Sequence, residues 1–504
     1  MTNDSVNRRP PQALIMGVAL ATMAQALDGR MMMVTLPLIR GHLAATVDEG
    51  GWVVIAYLMA NIAVLPLSPW LSARLGRRRY YLCSLVGFAA AAFFCACSPS
   101  IVELVWWRAV QGAFGAGLIA VSQAILRQAM PEQKLGLSQV IFAGTFVGAP
   151  LALGPLIGGI LVDNDGSWRW TFLIVGLLAL ASAILCSRFL PEQEAANRRA
   201  ALDWIGAGLL AGALVPLQYV LYEGQRYNWW SEPRIGLLAA LSVAAAAGFL
   251  AWELRAPNPL IDRRLFAIPV VVAGVLLIVP VAVVLSAVVA IVLQFAEQFL
   301  HFGATLAGEL TVVRALVFVP LVFLLGITMD RRPMPVRPLL FVGLGLLALS
   351  NVMQFFATTT AASFGTIIVS FVVGGIAIAP AVIPLLWGVL RAVPRSQTLG
   401  VTTMLGLGLQ LGGEATPAIV QSVLAHRFAF HYQVLRSNAT PSRLAFAHLP
   451  AHLHAVQLLV RLITEQSYTL AFADVALVVA TIAVLSAILV PFFRSPYAKE
   501  LERS

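Results

Sequence analysis

The stretch AQALDGRMMMVTLPL, residues 24 to 38, places Asp28 and Arg30 inside an otherwise apolar run. A carboxylate among apolar groups is penalised as a charge, so it takes up a proton at a higher pH than one in water and can exchange it near neutrality. A guanidinium keeps its charge and presents a rigid donor fork to anions. Other apolar runs carry Arg108, Glu297, Arg314 and Glu414, with the amides Gln111 and Gln410 close by. Proton exchange at a carboxylate, or recognition of a ligand, is the chemistry such a set can do. No nucleophile–base pair and no metal-ligand cluster accompanies these residues, so neither an enzyme, a metal site nor a cofactor is expected.

The runs that must position them are long. The chain is 60% hydrophobic and only 11% charged, with a mean hydropathy of +0.86. A soluble domain carries roughly a quarter charged residues, so this one has too little polar surface for water. Apolar runs of about 20 residues recur, as in an all-α polytopic membrane protein. Charged or turn-rich breaks give fourteen segments: 13–38, 50–71, 80–98, 104–126, 137–161, 170–189, 202–222, 235–253, 270–300, 304–328, 338–357, 364–390, 398–424 and 470–493. The first run continues past Arg8 and Arg9 without a small-residue cleavage site, so no cleavable signal peptide is expected. The four cysteines lie in apolar segments and read as buried small hydrophobes, not as a disulfide framework.

Basic residues set the orientation. With the N-terminus in the cytoplasm, inner segments hold 22 of the 33 Lys and Arg, outer loops hold eight, and spans hold three (Arg30, Arg108, Arg314). Both termini are then cytoplasmic. The net charge of +10 is a topology signal, and no nucleic-acid partner is implied. Residues 425–469 form a long outer loop with five of the seven histidines, including His448 and His452 on one helical face. No Cys accompanies them, and a solvated loop is preferred to a metal site.

An internal repeat organises the segments. SPWLSARLGRRRYYL follows span 2 and LLGITMDRRPMPVRPLL follows span 10. In each, a turn or small residue precedes an Arg by five positions: Pro69, Ala73, Arg74 in one and Gly326, Asp330, Arg331 in the other. Duplication of a six-helix unit produces such a pair and leaves spans 7 and 8 between the copies, as 6 + 2 + 6. The expected divisions are a tail 1–12, a six-helix bundle 13–190, two extra helices within 191–260, a second bundle 261–493 that includes the outer loop, and a tail 494–504.

The chain resembles the fourteen-span drug:proton antiporters of the major facilitator superfamily, EmrB/QacA type. The likeness is carried by Leu27, Asp28, Leu36 and Pro37 in span 1; by Leu71, Arg74, Gly76, Arg77 and Arg78 in loop 2–3; and by Arg108, Gln111, Gly112 and Gly115 in span 4. Gly154, Pro155, Gly158 and Gly159 match the antiporter motif of span 5. LDWIGAGLL, LYEGQRYNWWS, WELRAPNPLIDRRLF and LQLGGEATPAIV match the fourteen-span branch. Pro69 and Ala73 stand where the family has Gly and Asp, Arg30 where it has a small or aliphatic residue, and Glu414 where it has a small one.

The resemblance implies a major facilitator fold in the bacterial cytoplasmic membrane and proton-driven efflux of amphipathic, drug-like compounds. It also implies a cavity lined by spans 1, 2, 4, 5, 9, 10, 12 and 13, on which the embedded charges fall. Asp28, Glu414 and Arg108 are the expected proton-coupling groups, with a purely anchoring role open for each of them. Arg30, Met31, Gln111, Glu297, Arg314 and Gln410 are expected to line the cavity. At about 1.5 Å per residue, Asp28 lies roughly 22 Å from the inner end of its span and Glu414 about 24 Å. Arg30 is expected to pair with Glu414 and Asp28 with Arg108 or water. Arg74, Gly76, Arg77, Gly326, Asp330 and Arg331 form a conformational latch resting on the second copy, where the acid survives. Relatives in double-membraned bacteria work with a periplasmic membrane-fusion adaptor and an outer-membrane channel, and residues 425–469 face the right side for that. Export of an endogenous anion such as a fatty acid or siderophore, which Arg30 and Arg314 would suit, and a non-transporting scaffold or sensor remain as alternatives.

Overall fold

The computed structural model describes residues 12–493 except 165, 193–200, 258, 333 and 440–452, with no side chains for 453–456. The predicted tails and the His448–His452 pair lie outside the described residues. Fourteen long helices occupy the described chain: α1 (Gln12–His42), α2 (Val47–Leu75), α3 (Arg77–Cys97), α4 (Ile101–Ala129), α5 (Glu132–Asp163), α6 (Arg169–Phe189) and α7 (Trp204–Glu223). The rest are α8 (Pro233–Glu253), α9 (Pro269–Gln298), α10 (Ala304–Arg331), α11 (Val336–Ala357), α12 (Phe364–Arg391), α13 (Thr398–Asn438) and α14 (Leu453–Ser486).

Twelve are long and apolar enough to cross a membrane. The two outside that count are α1, with 31 residues, and α13, with 41. Length is not their shortfall, since 41 residues of helix extend about 60 Å against a hydrocarbon core of about 30 Å. They are the helices that carry Gln25, Asp28 and Arg30 on one and Gln410 and Glu414 on the other. A helix that faces a polar interior gives up apolarity there.

Packing repeats the sequence duplication. In the first set α1 lies against α5 and α6, α4 against α2 and α3, and α3 against α6. In the second set α9 lies against α13 and α14, α12 against α10 and α11, and α11 against α14. Each pairing recurs eight helices later. Between the sets, α5 runs beside α10 and α4 touches α13, while α7 rests on both α2 and α13. Ser242 of α8 donates to the Ala213 carbonyl of α7 at 2.5 Å.

Local breaks have local causes. Gly76, at φ 84°, ends α2 and starts α3 in a conformation that a Cβ would strain. The middle of α5 widens to a π-helix over Gly144–Gly148, just before Pro150. Proline has no N–H and its ring crowds the carbonyl one turn back, which a wider turn relieves.

The stretch 425–469 departs from the loop expected there. Helix α13 continues to Asn438 and α14 starts at Leu453. Loss of apolarity ended the predicted spans, but polar side chains do not end a helix. The extension is held by Phe428 stacked on Tyr468 with centroids 4.0 Å apart, and by Arg427 and His431 on Asp474 at 2.5 and 2.6 Å.

Candidate functional site

The first polar centre lies wholly inside α1–α6. Asp28 is 0% exposed and Arg108 1%, with Nη1 to Oδ2 at 2.7 Å. The same Nη1 donates to Gln111 Oε1 at 2.7 Å, Arg108 Nε donates to the Val53 carbonyl at 3.0 Å, and Gln111 Nε2 donates to Asp28 Oδ1 at 3.3 Å. The Arg108 guanidinium lies over the Tyr57 ring, 4.2 Å from its centroid. Close approach of α2 and α4 allows this, because a Cβ on Gly112 would sit 2.2 Å from the Tyr57 carbonyl oxygen. The expected pairing of Asp28 with Arg108 is present. Gln111, placed by sequence in the substrate cavity, is instead fully buried as the third member of this network.

The second centre is Glu414 on α13. Both its carboxylate oxygens are sealed from solvent and make no hydrogen bond. The amides that flank it are Gln410, one turn earlier, and Gln218 of α7. Gln410 Nε2 also reaches the Leu58 carbonyl at 3.5 Å. Tyr57, under the Arg108 guanidinium, lies within electrostatic reach of Asp28 and of Glu414. Gln218 and Tyr57 were not among the sequence candidates, since an isolated Gln or Tyr in an apolar run carries no periodic signal.

The third centre corrects an expectation. Arg30 does not pair with Glu414. Its stem packs on Gly154 of α5, where a Cβ would come within 2.4 Å of Arg30 Cβ. Arg314 of α10 is 1% exposed, none of its three guanidinium nitrogens has a hydrogen-bond partner, and Arg30 is the charged group whose field reaches it. The choice of partner depended on which way each helix is rotated, and segment depth alone does not give that rotation. Glu297, also assigned to the cavity, is exposed at the outer end of α9 near Asp163 and joins no centre. Met31 is fully buried.

The antiporter-motif glycines place α5 between the two sets. Gly154 and Gly158 face Arg30 and Val34 of α1, while Gly159 faces Ala304 of α10, and the Pro155 carbonyl lies against Gly308. Helices α5 and α10 also cap each other. Asp330, at the end of α10, accepts from the Gly136 and Leu137 amides near the start of α5 at 2.6 and 2.8 Å. Asp163, at the end of α5, accepts from the Ala304 and Thr305 amides that begin α10 at 3.3 and 2.8 Å. A carboxylate at a helix start meets free N–H groups and the positive end of the dipole. Gly326 allows the inner contact, since a Cβ there would lie 3.1 Å from the Gly136 carbonyl oxygen.

The first-copy residues stay within their own bundle: Arg74 over Trp70 at 5.2 Å and Arg77 on Gln128. Arg331 is exposed. Other inner ties were not foreseen. Arg127 donates to the Leu390 and Val393 carbonyls, the latter at 2.9 Å, and Arg395 to the Met130 carbonyl at 3.1 Å. The signal was present as LRQAMPEQ and LRAVPRSQ, a second repeat at the inner ends of α4 and α12.

Two matched sets of helices that bury charge at their centres and clasp each other at both ends make a membrane carrier. The chain belongs to the Major Facilitator Superfamily, whose family model matches residues 18–296. It is similar to the multidrug export protein EmrB of Escherichia coli K12, 27% identical over 432 residues that cover 85% of this chain and 84% of that one. The fatty acid resistance protein FarB of Neisseria gonorrhoeae is 30% identical over 251 residues, half of this chain and 49% of its own length. In fold it matches the crystal structure of the human organic anion transporter MFSD10, with a TM-score of 0.61, 18% identity, and coverage of 94% of this chain and 100% of that one.

Proposed function

We propose that this protein is a proton-driven exporter of amphipathic, drug-like small molecules in the bacterial cytoplasmic membrane. All fourteen long helices then span, as 6 + 2 + 6, with both termini cytoplasmic and α7–α8 inserted between the bundles. The similarity to EmrB over 85% of the chain supports the export reading, and one observation carries the coupling: the sealed Asp28–Arg108 pair.

Protonation of Asp28 removes the charge that holds Arg108 and frees Arg108 to lean on the Val53 carbonyl and Gln111 alone. Glu414 is the second proton site, since a buried carboxylate with no cation beside it is accommodated by gaining a proton. Tyr57 lies within electrostatic reach of both and can pass the change from α1 and α4 to α13. Inner opening requires release of Asp330, Arg127 and Arg395; outer opening requires release of Asp163. Alternating access follows from breaking one group while the other holds. The helical extension of α13 and α14 faces the side on which a periplasmic adaptor would dock.

The test is flux from proteoliposomes under an imposed pH gradient. Proton-linked export of an amphipathic dye by the wild type, abolished in Asp28→Asn at equal insertion, supports the reading. Unchanged flux in Asp28→Asn removes that residue from the mechanism. No proton-linked flux with any amphipath favours a scaffold.

A further inference from the structure

The second repeat, LRQAMPEQ at the end of α4 and LRAVPRSQ at the end of α12, encloses a space that export does not use. The two copies face each other across a cavity of about 200 Å³. Arg127, Leu135 and Val393 form its buried floor, and Arg391, Arg395 and Glu132 its exposed rim. Drug-sized ligands occupy pockets of roughly 300–1,000 Å³. This one holds a single compact group.

The clasp at the cavity joins the bundles without matching their charge. Arg127 donates to the Leu390 and Val393 carbonyls, and Arg395 Nη2 to the Met130 carbonyl. A carbonyl accepts a hydrogen bond but carries no full negative charge. Among the described residues the lining has one acid, Glu132, which lies 3.5 Å from Arg395 Nε and is 73% exposed. Three guanidiniums therefore share one carboxylate. The carbonyl ends of α4 and α12 add about half a negative charge each, which leaves an excess of roughly one positive charge. Asp330 and Lys134, within electrostatic reach of each other, add one charge of either sign and cancel. The fields of Arg391 and Arg395 both reach Arg127, and like charges on opposing bundles weaken the clasp.

A bound anion turns that repulsion into attraction. Guanidinium forks match phosphate oxygens bidentately. A tetrahedral phosphate can be met from three sides at once, whereas a planar carboxylate offers only two oxygens. Basic pockets between membrane helices on the cytoplasmic side suit lipid phosphates for the same reason.

We propose that Arg127, Arg391 and Arg395 form a phosphate-group site at the inner seam of the bundles, and that its occupancy holds the inner face closed. Arg127 belongs to α4, Arg391 to α12 and Arg395 to the turn after it, so one anion held by all three ties the two bundles. Free phosphate and the headgroup of an anionic phospholipid share this chemistry. The site rests on the clasp alone and stands whether or not flux is proton-linked.

The protein in dodecyl maltoside, a neutral detergent, is titrated with inorganic phosphate and, separately, with dioctanoyl phosphatidylglycerol. Dioctanoyl phosphatidylcholine is the zwitterionic control. Sodium chloride keeps ionic strength constant, because screening alone moves exposed charges. At least one probe is expected to raise the unfolding midpoint, read by tryptophan fluorescence, in a saturable way. Arg391→Gln should weaken that probe about tenfold, the worth of one charge-assisted bond. Glu132→Gln removes the competing carboxylate and should tighten it severalfold, which a damaged fold cannot do. Saturation by phosphate, with phosphatidylglycerol no better than phosphatidylcholine, assigns a soluble ion; the reverse assigns a lipid headgroup. Closure is read at Thr402→Cys in a cysteine-free background, since Thr402 of α13 is buried against the Ala120 carbonyl of α4. The bound probe should slow its alkylation severalfold, and should not do so in Arg391→Gln at the same concentration. No saturable shift with either probe, a shift reproduced by chloride, an affinity unmoved in both variants, or an alkylation rate that does not fall overturns the proposal.

Discussion

Removing the charge of Asp28 while keeping its shape gives the most quantitative test of the buried centre. In Asp28→Asn the amide oxygen can still accept from Gln111, and Arg108 keeps the Val53 carbonyl and the Gln111 oxygen. What disappears is the opposite charge and one charge-assisted bond of 2.7 Å. Stranding one member of a buried ion pair costs about 3–5 kcal/mol, and the two surviving acceptors put this case near ~3 kcal/mol. Arg108→Gln strands the carboxylate instead, with a loss of similar size. The double variant has neither charge, and its amides can bond each other, so its loss should be only about 1–2 kcal/mol. Coupling between the sites is then roughly 4 kcal/mol, far above the ~0.5 kcal/mol within which independent sites add. Unfolding by denaturing detergent in mixed micelles, followed by tryptophan fluorescence, measures all four corners of the cycle. Additive losses would refute the claim that each charge exists for the other.

Three further outcomes follow from the same geometry. Asp330→Asn should speed alkylation of Gln133→Cys at the inner face severalfold in a cysteine-free background, and Asp163→Asn should do the same for Asn164→Cys at the outer face, with no crossed effect. Gly112→Ala should cost about 1–3 kcal/mol, since its methyl meets backbone that cannot swing aside; the unfolding assay reads it. Glu414→Gln should leave stability within about 1 kcal/mol, because no cation is stranded, and should flatten the rise in proteoliposome efflux as the outer pH falls.

Much of this fold was legible along the chain because a membrane helix announces itself by length and apolarity, both one-dimensional. All fourteen segments correspond to helices, and the 6 + 2 + 6 repeat has its counterpart in pairings recurring eight helices later. Where the reading went astray, the missing quantity was an angle or a partner. Residues 425–438 looked like loop because apolarity had ended, although helix had not. Arg30 was given to Glu414, yet Arg30 packs on Gly154 of α5 while Gln410 and Gln218 flank Glu414. Nothing along the chain singles out Asp163, because the helix start it caps, that of α10, comes beside it only in the fold.

The sequence by itself determined that this chain lives in a bilayer as a set of long apolar helices, and that a few of them must bear charge where charge is costly. Those are consequences of transfer free energy, which each residue carries with it. Tertiary structure alone decided which charges are matched: Asp28 satisfied by Arg108, Glu414 left with two amides, and Arg314 buried with no hydrogen-bond partner for its guanidinium. Pairing depends on the azimuth at which helices from distant parts of the chain meet, and glycines such as Gly112 and Gly154 set that only once both partners are in place.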